Sequence, residues 1–243
     1  MERNIVTQAI ALHSRRDGVN NVNISLLSID LGVITIRAFG AKTSKKAPKA
    51  FRFQEGQFFI YFNPTKKQYI LKDVNLIATH DGLLNDYSNI SIASIMSEII
   101  LKTYSDDSAY VYNLFTKSLD FLEDDSINKD IILIQFILRF IKNHGFFENF
   151  TNCPNCEKKY SDEEILYFSN TLSVPSCKNC SNSSNMLLPP KARKYLSITL
   201  NMSIEDAINI KLYETTATRI KSYMIRWITN IIGYPLKSVT VLN

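Results

Sequence analysis

The chain has 243 residues, 45% of them hydrophobic and 21% charged, with a formal net charge of +5. That length and apolar content exclude a disordered chain and allow one large domain or a few small ones, each with its own core. The most apolar stretch, Ile131 to Ile141, contains Gln135 and Arg139 and is far shorter than the ~20 residues that cross a bilayer, which excludes a membrane span and predicts a buried helix.

The first segments alternate in the strand manner. Runs rich in Ile, Val, Phe and Tyr at Ile5–Leu12, Val22–Ile29, Val33–Phe39, Gln57–Phe62 and Gln68–Ile77 are separated by turn-forming residues such as Asp17-Gly18-Val19-Asn20-Asn21 and Asn63-Pro64-Thr65-Lys66. Five short strands in about 80 residues predict a small barrel. Beyond Gly82 the period changes. Ile92, Ile95, Met96, Ile99 and Ile100 recur at helical spacing, as do Leu114, Phe115, Leu119 and Leu122, and further helices are predicted at about 129–143 and 216–232. Gly233 is placed to end the last of these at its C′ position, and Pro235 blocks its continuation. Ser203 with Asp206 three residues on has the form of a capping box ahead of Ile208 and Leu212. The apolar stripes of these helices are read as core.

All four cysteines fall between the third and the last of these helices, as Cys153-x-x-Cys156 and, after twenty intervening residues, Cys177-x-x-Cys180. Each pair can clasp one edge of a metal ion, and the connecting loop lets the second pair complete a tetrahedron around zinc. Four thiolates leave no position for a water or substrate, so the zinc is expected to be structural. A pair of disulfides is the competing reading; it requires an oxidising compartment, and Met1-Glu2-Arg3-Asn4 lacks the basic region and apolar core of a secretory signal.

Charge is unevenly spread. Residues 1–80 carry twelve Lys/Arg against five Asp/Glu, residues 81–185 eight against fifteen, and residues 186–243 eight against three, giving net charges of +7, −7 and +5. The pattern predicts a polyanion-binding face on the first and last segments, with the acidic middle turned elsewhere. A basic five-stranded barrel points to an oligonucleotide-binding (OB) fold, in which one strand face and its loops grip nucleic acid. In the third strand Arg37 and Phe39 share a face, while Ile34, Ile36 and Ala38 fill the interior. The basic loop Gly40-Ala41-Lys42-Thr43-Ser44-Lys45-Lys46-Ala47-Pro48-Lys49 follows, with Phe51, Arg52 and Phe53 at its exit. Lysines in such a loop release counterions from phosphates and bind without reading sequence. Arg15 and Arg16, beside Asp17 at a turn, and Lys191, Arg193 and Lys194, after Pro189-Pro190, complete the candidate DNA-binding set.

The chain is thus read as an α+β multidomain protein. An OB barrel spans 1–80, a helical domain comes in two parts, 81–150 and 186–243, and a four-cysteine zinc module is inserted at 151–185.

In this order the signals resemble the bacterial recombination mediator family RecO, over nearly the whole chain. The likeness runs through Gln8-Ala9-Ile10-Ala11-Leu12, the run Ser25 to Ile34, and Ala38-Phe39-Gly40-Ala41-Lys42, which matches the family's Ala-x-Gly-Ala-Arg/Lys. It continues through Phe136-Ile137-Leu138-Arg139-Phe140, Gly145-Phe146 and Cys153-Pro154-Asn155-Cys156, and closes on Ile228 to Ser238. Two departures stand out. Glu157 occupies the position after the second cysteine where the family usually has Gly, and Arg16-Asp17-Gly18-Val19-Asn20 replaces the family's Tyr-Gly-Glu turn. The resemblance implies a protein without turnover chemistry that binds single- and double-stranded DNA and anneals complementary strands. With RecR it would help load RecA onto DNA coated by single-strand-binding protein, contacting the acidic, apolar tail of that protein through the helical domain. It also implies a cytoplasmic, nucleoid-associated location.

Enzymatic readings fit poorly. A zinc deaminase needs His-x-Glu, but Arg15, Gly82 and Phe146 stand two positions after His13, His80 and His144. A ligase-like nucleophile at Arg15-Arg16-Asp17-Gly18 would be an arginine, whose guanidinium does not lose its proton. Seven glycines hold no Walker loop. Asp106-Asp107 and Glu123-Asp124-Asp125 are read as solvated or partner-facing helix ends. A zinc-stabilised protein-interaction scaffold, with its acidic middle facing a basic partner, is the alternative to the DNA-binding reading.

Overall fold

A computed structural model describes residues 3–45, 47–103, 107–147, 149–169, 174–181 and 183–241. Lys46 and Asp106, both singled out above, lie outside the described residues. The chain forms two compact units, Met1–Glu123 and Asp124–Asn243.

The first unit is built on a closed barrel of five strands, β1 (Asn4–Asp17), β2 (Asn21–Ser28), β3 (Gly32–Ala38), β4 (Glu55–Asn63) and β5 (Gln68–Ala78), in the order β1-β2-β3-β5-β4. Closure depends on the length of β1: its first half pairs antiparallel with β4, from Asn4↔Tyr61 to Ile10↔Glu55, and its second half with β2, from Ala9↔Ser28 to Asp17↔Asn21. The register shifts between Ala11 and His13, and β3 meets β5 in parallel at Ile36↔Tyr69 and Arg37↔Ile70. Ala9, Ala11, Ile24, Leu26, Ile36, Ala38, Phe58, Ile60 and Leu71 fill the interior, with Ile34 packed against them.

In β1 the alternation breaks, because Ala9, Ile10, Ala11 and Leu12 are all buried. The interior takes the alanines. The outer face, carrying Ile10 and Leu12, lies on the side covered by α1 (Tyr87–Lys102) and α2 (Ser108–Leu122), both of which pack against β1. The change from strands to helices near residue 80 therefore does not coincide with the division between compact units.

His80, at the junction, has a left-handed backbone (φ 49°), and its buried ring brings Nδ1 to 3.2 Å from Glu123 Oε2 at the end of α2. Asp107 caps α2 by accepting from the Tyr110 N–H at 3.0 Å. The acidic helix ends thus have structural work in this unit.

In the second unit, α3 (Lys129–Asn143) is buried continuously from Ile131 to Ile141, as its apolar run predicts. Its two polar residues are satisfied by α4 (Pro190–Thr199) and the turn after it. Gln135 Nε2 donates to Tyr195 Oη (2.8 Å) and Thr199 Oγ1 (3.0 Å), and Arg139 donates to Gln135 Oε1 and to the carbonyls of Thr199, Met202 and Ser203. Ser203 caps the short α5 (Ile204–Ile208) from the Asp206 N–H, as the capping box requires. Helix α6 (Glu214–Ile232) packs on α3, ties Lys221 to Asp130 at 2.6 Å, and ends at Gly233 (φ 79°). Trp227 is fully buried among Phe147, Phe150 and Tyr223.

Periodicity did not reveal a three-stranded sheet, β6 (Leu166–Ser169), β7 (Val174–Ser176) and β8 (Ser183–Leu188), ordered β7-β6-β8, between α3 and α4. Its strands are three to six residues long, too short to produce a readable alternation.

Candidate metal centre and nucleic-acid interface

The residues from Thr151 to Tyr160 double back on themselves. Tyr160 N–H donates to Thr151 O (2.9 Å), Cys153 N–H to Lys158 O (2.9 Å) and Glu157 N–H to Cys153 O (2.8 Å). At the tip, Glu157 adopts φ 60°, the left-handed region where a side chain is disfavoured. That conformation accounts for a glycine preference at this point of the turn. Cys177 follows directly on β7, and a single helical turn, Lys178–Cys180, brings Cys180 beside it.

The four Sγ atoms lie within 4.8 Å of one another, and Cys156 Sγ is 3.8 Å from Cys177 Sγ. A tetrahedron with metal–sulfur bonds of about 2.3 Å has edges of about 3.8 Å, whereas a disulfide is about 2.05 Å long. All four cysteines are free thiols. Their environment is already divided between anionic and protonated sulfur. Burial raises the Cys153 thiol, but the backbone N–H groups of Cys177, Asn155 and Cys156 and the Cys156 side chain outweigh it and hold it at about 6. Burial raises Cys177, and hydrogen bonds with the Cys156 and Cys177 side chains push Cys180 to about 12. The donor set and its spacing fit a thiophilic cation such as zinc.

At the barrel, pairing places Arg15 opposite Asn23, and Asn23 opposite Arg37. Directly paired residues share a sheet face, so Arg15 and Arg37 stand two strands apart on one surface, roughly 9–10 Å between backbones. Arg37 is 4.9 Å from the centre of the Phe39 ring, and Phe39 is 46% exposed, so the two share one face as their spacing predicts. Arg37 also ion-pairs through Nε with Asp17 at 2.6 Å. Arg16 pairs with Val22 in the row that includes Ala38 and is exposed at the strand end.

The basic loop is fastened to the same end of the barrel: Gly40 N–H donates to Asn21 Oδ1 (3.1 Å) and Lys42 N–H to Asn20 O (3.2 Å). Lys42 and Lys45 are exposed and Lys49 is partly so.

The loop exit divides. Phe51 is 65% exposed, whereas Phe53 is buried at 6.4 Å from Phe115. Arg52 lies over the Phe53 ring at 4.6 Å and donates from Nε to Leu12 O at 3.0 Å, and burial lowers its pKa. Cross-strand geometry adds residues that the sequence did not single out: Lys72 sits 5.3 Å from the Tyr61 ring, with Lys66 and Lys67 exposed in the turn between β4 and β5. The signal available for Lys72 was its alternation with Ile70, whose partner is Tyr61.

In the second unit, Lys191 and Lys194 are exposed on the first turns of α4. Arg193 between them is only 7% exposed and donates from Nη2 to the carbonyls of Ser161 (2.5 Å) and Asp162 (2.9 Å). The remaining histidines stand in separate surroundings. His13 is exposed, and His144 stacks on Phe140 at 4.0 Å with Nδ1 2.8 Å from the Phe140 carbonyl. No helix among the described residues is long and apolar enough to cross a membrane.

The model of the family described as Recombination protein O C terminal matches residues 84–240. Over 243 residues the chain is 24% identical to the DNA repair protein RecO of Clostridium novyi (strain NT), covering 98% of this chain and 93% of that protein. The DNA repair protein RecO of Thermoanaerobacter sp. (strain X514) is 27% identical over 184 residues, 74% of this chain and 72% of its own. That of Clostridium kluyveri is 22% identical over 210 residues, 85% and 80% respectively.

Proposed function

The chain belongs to the RecO family, and from that membership we propose that it is a DNA-repair recombination mediator. It binds single- and double-stranded DNA, anneals complementary strands and, with RecR, helps place RecA on DNA coated by single-strand-binding protein. The observation that carries the reading is the outer barrel surface on which Arg15, Arg37 and Phe39 come together beside the fastened loop holding Lys42, Lys45 and Lys49. Cations there neutralise phosphates, and Phe39 and Phe51 offer ring faces to bases. Arg52, Lys66, Lys67 and Lys72 extend the cationic surface, Arg52 through the guanidinium nitrogens other than Nε, and Arg16 at the strand end and Lys46 of the basic loop complete the proposed set.

Annealing requires that two polyanions be neutralised together while their bases stay free to pair. It calls for no bond to be made or broken, so the protein acts without turnover. Cys153, Cys156, Cys177 and Cys180 would hold a zinc ion, which when bound would crosslink the module between α3 and α4 and, with all four thiolates as ligands, would leave no position for a substrate.

The test is annealing of complementary single strands, precoated with the cognate single-strand-binding protein, by purified protein without ATP. Acceleration over a protein-free control is expected, and neutralising Lys42, Lys45 and Lys49 together should remove it. DNA binding without acceleration would transfer the annealing step to a complex with RecR. Failure to bind DNA at all would leave a zinc-stabilised interaction scaffold in place of the mediator.

A further inference from the structure

Beside the zinc module, the end of the Thr151–Tyr160 hairpin, the loop after it and the start of α4 line a cavity of 670 Å³. Phe150, Tyr160, Pro190 and Ile198 give it apolar surface, and its cations are Lys159, Lys191, Arg193 and Lys194. Asp162 and Glu163 also line it, leaving four cations against two carboxylates.

Three features of α4 bear on what this cavity takes. The ten-residue helix begins at Pro190 with no side-chain cap and no acidic residue in its first turn. The Arg193 N–H already donates to Pro189 O, whereas those of Lys191 and Ala192 belong to the helix start and have no intrahelical acceptor. Lys191 and Lys194 sit where the helix dipole disfavours positive charge, an arrangement that a bound anion relieves. Finally, Arg193 is buried over carbonyls rather than a carboxylate, and its Nη1 is buried without a hydrogen-bond partner.

A free carboxylate or a short acidic peptide shares part of this chemistry. Yet the strand-like pairing in the lining is a single bridge of Lys159 with Asn152, too short an edge for a peptide backbone to extend. The α4 side of the cavity belongs to a segment that is basic overall, with eight Lys/Arg against three Asp/Glu over residues 186–243, while its other side belongs to the acidic segment 81–185.

We propose that this cavity is a phosphate seat for a DNA strand, in which the Lys191 amide and the Lys191 and Lys194 ammonium groups hold one backbone phosphate, with Arg193 adding positive charge to the lining. The proposal rests on the DNA-binding reading above and gives the second unit a defined contact of its own.

The test uses the full-length, zinc-loaded protein and a fluorescent oligo-dT, with affinity measured across a salt series. Lys191→Ala/Lys194→Ala should weaken binding and make the slope of log K against log salt shallower by about 0.7, the contribution of one phosphate on a single strand. Ser197→Glu, which adds a carboxylate to the cavity lining at a helix position where Glu is well tolerated, should weaken binding likewise. Lys211→Ala/Arg219→Ala removes the same charge from the same segment outside the cavity and should leave the slope near wild type. Thermal unfolding and zinc content establish that each variant is folded. Equal losses from the cavity and control pairs would overturn the proposal in favour of diffuse attraction. Wild-type DNA affinity in both cavity variants, with loss of an acidic peptide instead, would assign the cavity to a peptide. No binding by the wild-type protein would reject the DNA-binding reading itself, a result distinct from either.

Discussion

Replacing Glu157 by glycine should tighten the metal site. Glu157 closes the turn between the two hydrogen bonds that shape it, its own N–H on Cys153 O at 2.8 Å and the Cys153 N–H on Lys158 O at 2.9 Å, and it does so at φ 60°. An L-residue in the left-handed region costs roughly 1–2 kcal/mol. Glycine avoids that cost but loses about 0.5–1 kcal/mol more backbone freedom on folding. The net gain is about 0.5–1 kcal/mol, or roughly a two- to five-fold tighter zinc constant if the turn forms together with metal binding. Both backbone hydrogen bonds survive the change.

Glu157→Gly also removes a carboxylate near the thiols, so Glu157→Ala is the necessary control: it removes the same charge and keeps the strained φ. Competition against a chromophoric chelator at fixed pH reads the zinc affinity of all three proteins. If the backbone at residue 157 is strained, the glycine variant binds zinc more tightly than the alanine variant by that two- to five-fold factor, about 0.5–1 kcal/mol. Equal affinities in the two variants would mean that the backbone at residue 157 is not under strain and that any gain came from charge.

Arg139→Ala should destabilise the second unit by about 2–4 kcal/mol, since an unpaired buried acceptor costs ~1–3 kcal/mol and water reaches some of the carbonyls this side chain serves; urea unfolding followed by Trp227 emission would show it, and a change below about 1 kcal/mol would contradict the assigned network. Chelation of zinc should lower the thermal stability of the second unit, and zinc affinity should rise with pH across neutrality. The sign follows from the thiols: Cys177 and Cys180 are raised and hold protons that the metal must displace, while Cys153, at about 6, is already largely thiolate. Calorimetric titration in buffers of different ionisation enthalpy counts the released protons, and pH-independent binding would contradict that division. At the barrel, Asp17→Asn should tighten DNA binding by releasing Arg37 from its 2.6 Å ion pair, and Arg15→Ala should weaken it more than Arg37→Ala; fluorescence anisotropy against salt checks both, and the reverse order of the two arginines would show that Asp17 does not hold Arg37 in solution.

Local signals in the sequence were enough for much of this protein. Strand alternation and turn residues located the five barrel strands, the apolar run located α3, Ser203 and Gly233 located helix ends, and two Cys-x-x-Cys pairs located the four-thiol cluster. Each depends on neighbours a few residues away, where backbone sterics and hydrogen bonding act directly. How exposed and how paired each cation is was decided only by the tertiary structure. Lys191, Arg193 and Lys194 read alike in sequence, yet Arg193 is buried on the carbonyls of Ser161 and Asp162, some thirty residues earlier. Arg15 and Arg37 differ because Asp17, brought alongside by the pairing of three strands, neutralises only the second. Burial of Ile10 and Leu12 opposite the interior alanines likewise follows from helices that begin some eighty residues later. A charge or an apolar side chain acts according to what approaches it in space, and those partners are set by long-range packing that local pattern does not encode.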